Sequence, residues 1–245
     1  MAEREAVNVW TRPERGTRGP APEYSRARLT AAAVELADEH GLAAVSMRKV
    51  AEALGTGPAS LYRYLACRDD LVDLMADAVT GDIDLRVALT GDPVEDLVAL
   101  ALRTKSVHLC HPWLADVPPE RLRIGPNGLD YLEYALRAMA PVALPGRAKT
   151  EAVALMSAVV TLFARNELHD RHTSDNRRQA QAAYLLEAAA RGRHPHLAAA
   201  LQEPHGTTAD STADATSVAD TQDQFAGLIR RVLHGLLTPE PSPGA

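Results

Sequence analysis

The stretch ASLYRYL at residues 59–65 places a serine, two tyrosines and an arginine where a short helix would turn them toward solvent. Ser60 and Tyr64 are the right types to reach base edges or phosphates, and Arg63 adds a cation. Tyr62 can offer its hydroxyl to a phosphate while its ring lies along the backbone. Arg48 and Lys49, some ten residues upstream, would supply charge where a preceding helix crosses the phosphates. The chemistry on offer is recognition of a polyanionic duplex. A cap whose tyrosines merely cover apolar surface is the alternative reading of the same residues.

These side chains need a frame, and the flanking sequence supplies one. Ser25 fits an N-cap, and Leu29, Ala33, Leu36 and Ala37 recur at helical spacing until Gly41. Ser46 caps a second helix with Met47, Val50, Ala51 and Leu54 on one face, stopped by Gly55. Pro58 restarts the chain at a first helical position, where its missing N–H costs nothing, and Leu61 and Leu65 form an inner face. Two short helices joined at a glycine turn and packed on a third make a helix-turn-helix. A fourth helix starts near Arg68, with Asp69 and Asp70 complementing its dipole.

Beyond residue 80, DPVE at 92–95 combines an Asp cap, Pro at the first position and Glu at the third. Helices are predicted over 93–110, 126–140, 147–169, 175–191 and 222–237. No segment alternates in the manner of a strand, so the fold class is all-α. The organisation read from the chain is a flexible arm over 1–24, a helix-turn-helix domain over 25–72 and a helical body over 73–238. A mobile loop is expected at 204–221 and a frayed tail at 239–245.

Charge is unevenly spread. Residues 1–68 hold 10 Lys/Arg against 8 Asp/Glu, whereas 69–245 hold 16 against 24, within an overall −6. The less acidic end is the one expected to meet a polyanion. Arg4, Arg12, Arg15 and Arg18 in the arm could follow a groove beside the main site, or serve only as a solubilising tail. Two widely separated cysteines, no leader-like apolar stretch and no membrane-length run lead to an expectation of a cytoplasmic protein. No G-x-S-x-G elbow, phosphate-binding loop or dinucleotide fingerprint is present, so no enzymatic activity and no cofactor are expected. His169 and His172 share helical spacing, but no second ligand pair accompanies them, so no metal is assigned.

Residues 31–79 resemble the TetR family of bacterial regulators, in the branch of the tetracycline repressor. The words HGLAAVSMRKVAEALG, SLYRYL and RDDLVDLM carry the resemblance in the family's order; HPWLADVP, GPNGLDYLEYAL and GRHPHLAAAL further along are also similar. The resemblance implies DNA contact by Arg48, Lys49, Gly57, Ala59, Ser60, Tyr62, Arg63 and Tyr64, with Arg68 on a phosphate. Cys67 departs from the family's Ser, Asn or Gly at the cap before the fourth helix. A ligand-binding and dimerisation domain is implied for the C-terminal part. Its pocket candidates are His108, Trp113, Asn127, Tyr131, Tyr134, Phe163, Asn166 and His169. Met156 and Val160, with the stripe Phe225, Leu228, Ile229, Val232, Leu233 and Leu236, are candidates for a four-helix dimer interface; intrachain core is the other reading of both. The implied function is a homodimeric repressor that binds a double-stranded, pseudo-palindromic DNA operator and is released by a small-molecule effector of unknown identity. An activator, a ligand-independent regulator or a helical interaction module without DNA binding are the alternatives.

Overall fold

The computed structural model describes residues 8–12, 24–118, 123–172, 175–202 and 218–238, and within them the chain is helical with no strand. Ten α-helices follow in order: α1 Arg26–His40, α2 Met47–Ala53, α3 Pro58–Leu61, α4 Arg68–Thr80, α5 Pro93–Cys110, α6 Pro126–Ala138, α7 Gly146–His172, α8 Asp175–Ala190, α9 Pro195–Gln202 and α10 Val218–Leu237. Short 3₁₀ turns at Leu42–Ala44 and Pro112–Asp116 complete the described elements.

The boundaries follow local chemistry. Ser25 Oγ accepts the Arg28 N–H at 3.2 Å, and Ser46 Oγ accepts the Lys49 N–H at the same distance. Gly41 and Gly55 end α1 and α2 with φ of 78° and 68°, a conformation that favours glycine. Asp92 accepts the Val94 and Glu95 N–H groups at the head of α5. Cys67 gives α4 no side-chain cap. Asp70, three residues into the helix, reaches back instead and accepts the Ala66 N–H at 2.7 Å.

Three elements differ from expectation. α3 stops at Leu61 rather than running on to Leu65, because the chain passes into a turn there and the Tyr64 carbonyl accepts from Arg26 Nε at 3.2 Å. α9 was not foreseen, and α10 begins at Val218 rather than 222. Part of the arm read as flexible is seated: Asn8–Arg12 form a turn with Val9 fully buried. The expected loop at 204–221 lies outside the described residues except for its last turn, which is helical, and the tail at 239–245 lies outside them entirely.

Residues 1–165 and 224–245 form one compact unit, and Asn166–Asp223 form a second that contains α8 and α9. The first unit holds two apolar clusters. One gathers Leu29, Val50, Leu61, Leu65, Leu71 and Met75 from α1–α4, runs on to Val79 and takes in Trp113 and Val117. The other gathers Leu97, Leu100, Met139, Met156, Val160 and Phe225 from α5, α6, α7 and α10.

Candidate nucleic-acid interface and effector region

The first cluster fixes α2 and α3 so that one surface is left to solvent. Tyr24 ties it together: its hydroxyl donates to the Leu54 carbonyl at 3.0 Å, and its N–H donates to the Tyr64 hydroxyl at 3.4 Å. On the surface stand Arg48, Lys49, Gly57, Ala59, Tyr62 and Arg63, all exposed. The Arg48 side chain is 76 % exposed and lies 3.8 Å from Glu52, a loose i,i+4 pair on the surface. Ser60 is half-buried and its hydroxyl is engaged in the turn, 2.7 Å from Thr56 Oγ1 and 2.5 Å from the Gly57 carbonyl.

Two expected contacts sit elsewhere. Tyr64 is 6 % exposed and lies in the apolar cluster, whereas Tyr62 two residues away is 55 % exposed. Arg68 spends its guanidinium on the Val45 and Leu42 carbonyls, at 2.8 and 2.9 Å, so it closes the turn before α2 instead of pointing out. Arg28 was missed by the sequence reading. It is exposed on the first turn of α1, its guanidinium 5.2 Å from the centre of the Tyr24 ring. Its signal was present: a basic residue three positions after the Ser25 cap.

The residues expected to form a pocket fall in separate places. Trp113 belongs to the first cluster, and its Nε1 donates to Asp38 Oδ1 at 2.8 Å; His111 Nδ1 lies 2.8 Å from the same oxygen. This links the turn after α5 to α1. Asn127 belongs to the joint between α4 and α6, where its Nδ2 donates to the Asp77 carbonyl at 3.0 Å. Asp77 in turn accepts the Gly128 N–H at 2.9 Å and caps α6 from outside.

Tyr131, Tyr134 and Phe163 lie in the second cluster. Tyr131 and Tyr134 are buried; the Tyr131 hydroxyl accepts from Thr104 Oγ1 at 3.4 Å. Burial pushes the Tyr131 phenol up, against hydrogen bonds from Thr104 and Ser157. Tyr134 donates to the Val87 carbonyl at 3.0 Å and accepts from Arg103 at 3.2 Å. Phe163 packs on Phe225 at 5.3 Å between ring centres. His108 has its pKa lowered to about 4, first by burial and then by the neighbouring His111, which keeps the imidazole neutral at physiological pH. Its Nδ1 is buried without a hydrogen-bond partner among the described residues. Asn166 and His169 are exposed and belong to the second unit. No group of three or more His, Cys, Asp or Glu among the described residues could hold a metal ion.

The expected dimer residues also separate. Met156, Val160, Phe225, Ile229 and Leu233 are fully buried inside one chain, so they are core rather than interface. Leu228, Val232 and Leu236 are only partly covered. On α7 the outward residues are Leu155 and Leu162, 50 % and 54 % exposed, with Ala158 between them.

Comparison with known proteins agrees with this arrangement. The family model of bacterial regulatory proteins of the tetR family matches residues 29–75, and the tetracyclin repressor-like C-terminal domain matches 89–238. The HTH-type transcriptional repressor DrrR1 of Streptomyces coeruleorubidus is 33% identical over 218 residues, covering 82% of this chain and 78% of the relative. Among solved structures, the TetR family protein ActR of Streptomyces coelicolor in complex with actinorhodin superposes with a TM-score of 0.71. That structure is 26% identical and covers 89% of this chain and 98% of ActR. ActR in complex with (S)-DNPA gives a TM-score of 0.67 at 25% identity over the same shares. With two family models in tandem and a long-range repressor relative, the chain belongs to the TetR family of bacterial DNA-binding transcriptional regulators.

Proposed function

We propose that this ligand-responsive regulator is a cytoplasmic, non-enzymatic repressor that binds a pseudo-palindromic operator as a homodimer and leaves it when a small molecule enters the second cluster. The observation that carries the reading is the exposed face of α2 and α3. Arg48, Lys49, Tyr62 and Arg63 stand in solvent on a packed support. The close-approach positions Gly57 and Ala59 add little bulk; a Cβ on Gly57 would meet nothing within 4 Å. This face suits a major groove, with cations for phosphates and short residues for close backbone approach.

Dimerisation is assigned to the outward sides of α7 and α10, through Leu155, Ala158 and Leu162 with Leu228, Val232 and Leu236. The five inward residues first considered for the interface, Met156, Val160, Phe225, Ile229 and Leu233, pack in the chain's own core. A two-fold axis through these helices would set two recognition faces about one helical turn apart, roughly 34 Å, on one side of the duplex.

The effector region is assigned to α5, α6 and α7 around His108, Tyr131 and Phe163. A neutral imidazole whose buried Nδ1 meets no partner among the described residues suits a ligand that offers a hydrogen-bond donor from a largely apolar body. The relative ActR binds actinorhodin and (S)-DNPA, and these are the first compounds to try. The effector must bind the DNA-incompetent arrangement more tightly; coupling of about 1–3 kcal/mol gives a several-fold to hundredfold response. α4, which touches both α1 and α6, is the element that would carry it.

The test is selection of bound duplexes from a random pool, followed by a salt titration of the winner. Recovery of an inverted repeat whose binding weakens steeply with salt supports the proposal. Failure to enrich any motif removes it.

A further inference from the structure

α4 carries three buried aspartates, Asp70, Asp73 and Asp77, on the side that meets the start of α6. Each has a partner from a different segment. Asp77 caps α6 through Asn127 and Gly128. Asp73 accepts the Arg123 N–H at 3.1 Å, with the Arg123 guanidinium 3.9 Å away. Asp70 lies 3.5 Å from Arg123 Nη1 and 3.8 Å from Arg12 Nη1, the latter from the N-terminal segment.

That segment is seated by more than charge. Asn8 Oδ1 accepts the Trp10 N–H at 3.1 Å, and the Asn8 carbonyl accepts the Thr11 N–H at 3.1 Å and the Thr11 hydroxyl at 2.9 Å. This turn presents Val9 to the first apolar cluster, where it is completely covered, and Trp10 packs against the same cluster. The seat for Trp10 is cut to fit. A Cβ on Gly125 would collide with both the Trp10 ring and the Asp77 carboxyl, so glycine is required where the indole, α4 and the head of α6 converge.

We propose that Asn8–Arg12 is a strap that holds α4 against the head of α6, rather than a DNA-contacting arm. Trp10 and Arg12 are its positioning residues, one packed against the first cluster and the other beside Asp70. They brace the two helices through which those regions communicate. The inference goes beyond the regulator reading in its structural part and rests on that reading only for its consequence in DNA binding.

Two readouts on full-length Trp10→Ala and Arg12→Ala proteins separate a strap from a DNA arm. The first is hydrogen–deuterium exchange without DNA. The strap predicts exchange about tenfold faster in peptides spanning 68–80 and 123–131, with α7 and α10 unchanged, and recovery in Trp10→Phe. The second is the slope of log binding constant against log salt on the selected duplex. A strap leaves that slope unaltered in Arg12→Ala, whereas loss of a phosphate contact lowers its magnitude by about one per subunit. Unchanged exchange in both variants, or a lowered slope in Arg12→Ala, overturns the proposal. If the wild-type chain binds no DNA at all, the regulator reading fails, and the exchange comparison still decides the strap.

Discussion

The recognition face and the α4–α6 joint use similar residue types to opposite ends. On the face, Arg48, Lys49 and Arg63 are exposed, and Glu52 is paired, loosely, with Arg48. At the joint, three carboxylates are buried and each is matched by a guanidinium, a backbone N–H or a helix N-terminus. Buried charges without partners are expensive, so the joint has to be satisfied within the chain. Exposed cations lose little by waiting for an external anion. The difference teaches where to look for function: in groups left available at the surface, and in buried pairs that tie moving parts together.

Adjacent tyrosines give the sharpest way to break this contrast. Tyr64→Ala removes a core ring and the acceptor for the Tyr24 N–H, so it should cost about 3–5 kcal/mol of stability, read by urea unfolding. Tyr62→Ala should leave stability within about 0.5 kcal/mol and weaken operator binding instead. Equal stability losses at the two positions would erase the distinction between face and core.

Asp77→Ala tests the joint. It uncaps α6 and leaves the Gly128 and Asn127 donors without their carboxylate, a loss of about 2–3 kcal/mol by the same measurement. Arg63→Ala is its counterpart on the face: operator affinity should fall by about 1–3 kcal/mol with the unfolding midpoint unmoved. A drop that is identical on random DNA makes Arg63 a phosphate contact rather than a base reader.

The caps and breakers were legible in the chain. Ser25, Ser46, Gly41, Gly55, Pro58 and the Asp92–Pro93 pair lie at helix ends because each acts on its own neighbours. What could not be read depends on tertiary partners. Tyr64 is an exception: it follows the buried Leu61 by three residues, a spacing that puts both on one face of a helix, so its burial was legible and only Tyr62 belongs to the outer face. Arg68 looked like a phosphate ligand because nothing in the sequence reveals that the Val45 and Leu42 carbonyls lie within its reach. The stripe from Phe225 to Leu236 showed that a face of α10 is covered, but periodicity does not say by what, and its centre turned out to be covered by the same chain. Val9 and Trp10 sit in a stretch of arginines, prolines and glycines with no period, so their seat could be found only from the Gly125 cleft.

Two buried aspartates offer the finest comparison, because burial acts on both and the outcome differs. In Asp73 desolvation dominates and its pKa is raised above 3.8, with the Arg123 N–H and guanidinium opposing it. In Asp96 the same desolvation is outweighed by the Thr90 N–H and hydroxyl and the Gly91 N–H, and its pKa is lowered below 3.8. The signs in stability follow from linkage. For Asp73 the folded chain holds its proton more tightly than the unfolded one, so stability is lost as pH rises through the raised value. Asp73→Asn should therefore match wild type in acid and exceed it near neutrality, by no more than about 1 kcal/mol because the half-exposed Arg123 partner leaves the pair open to solvent screening. For Asp96 the charged form is favoured by folding, so its contribution is present above the unfolded value and disappears as pH falls through the lowered one. Asp96→Asn should cost about 1 kcal/mol near neutrality, with the deficit closing in acid. Unfolding free energies of both variants and wild type across pH 3 to 7, on the order of the range where carboxyls titrate, should give difference curves of opposite sign. Curves of the same sign would mean that the three donors around Asp96 do not overcome its burial, and the reading of the joint at Asp73 would lose its reference.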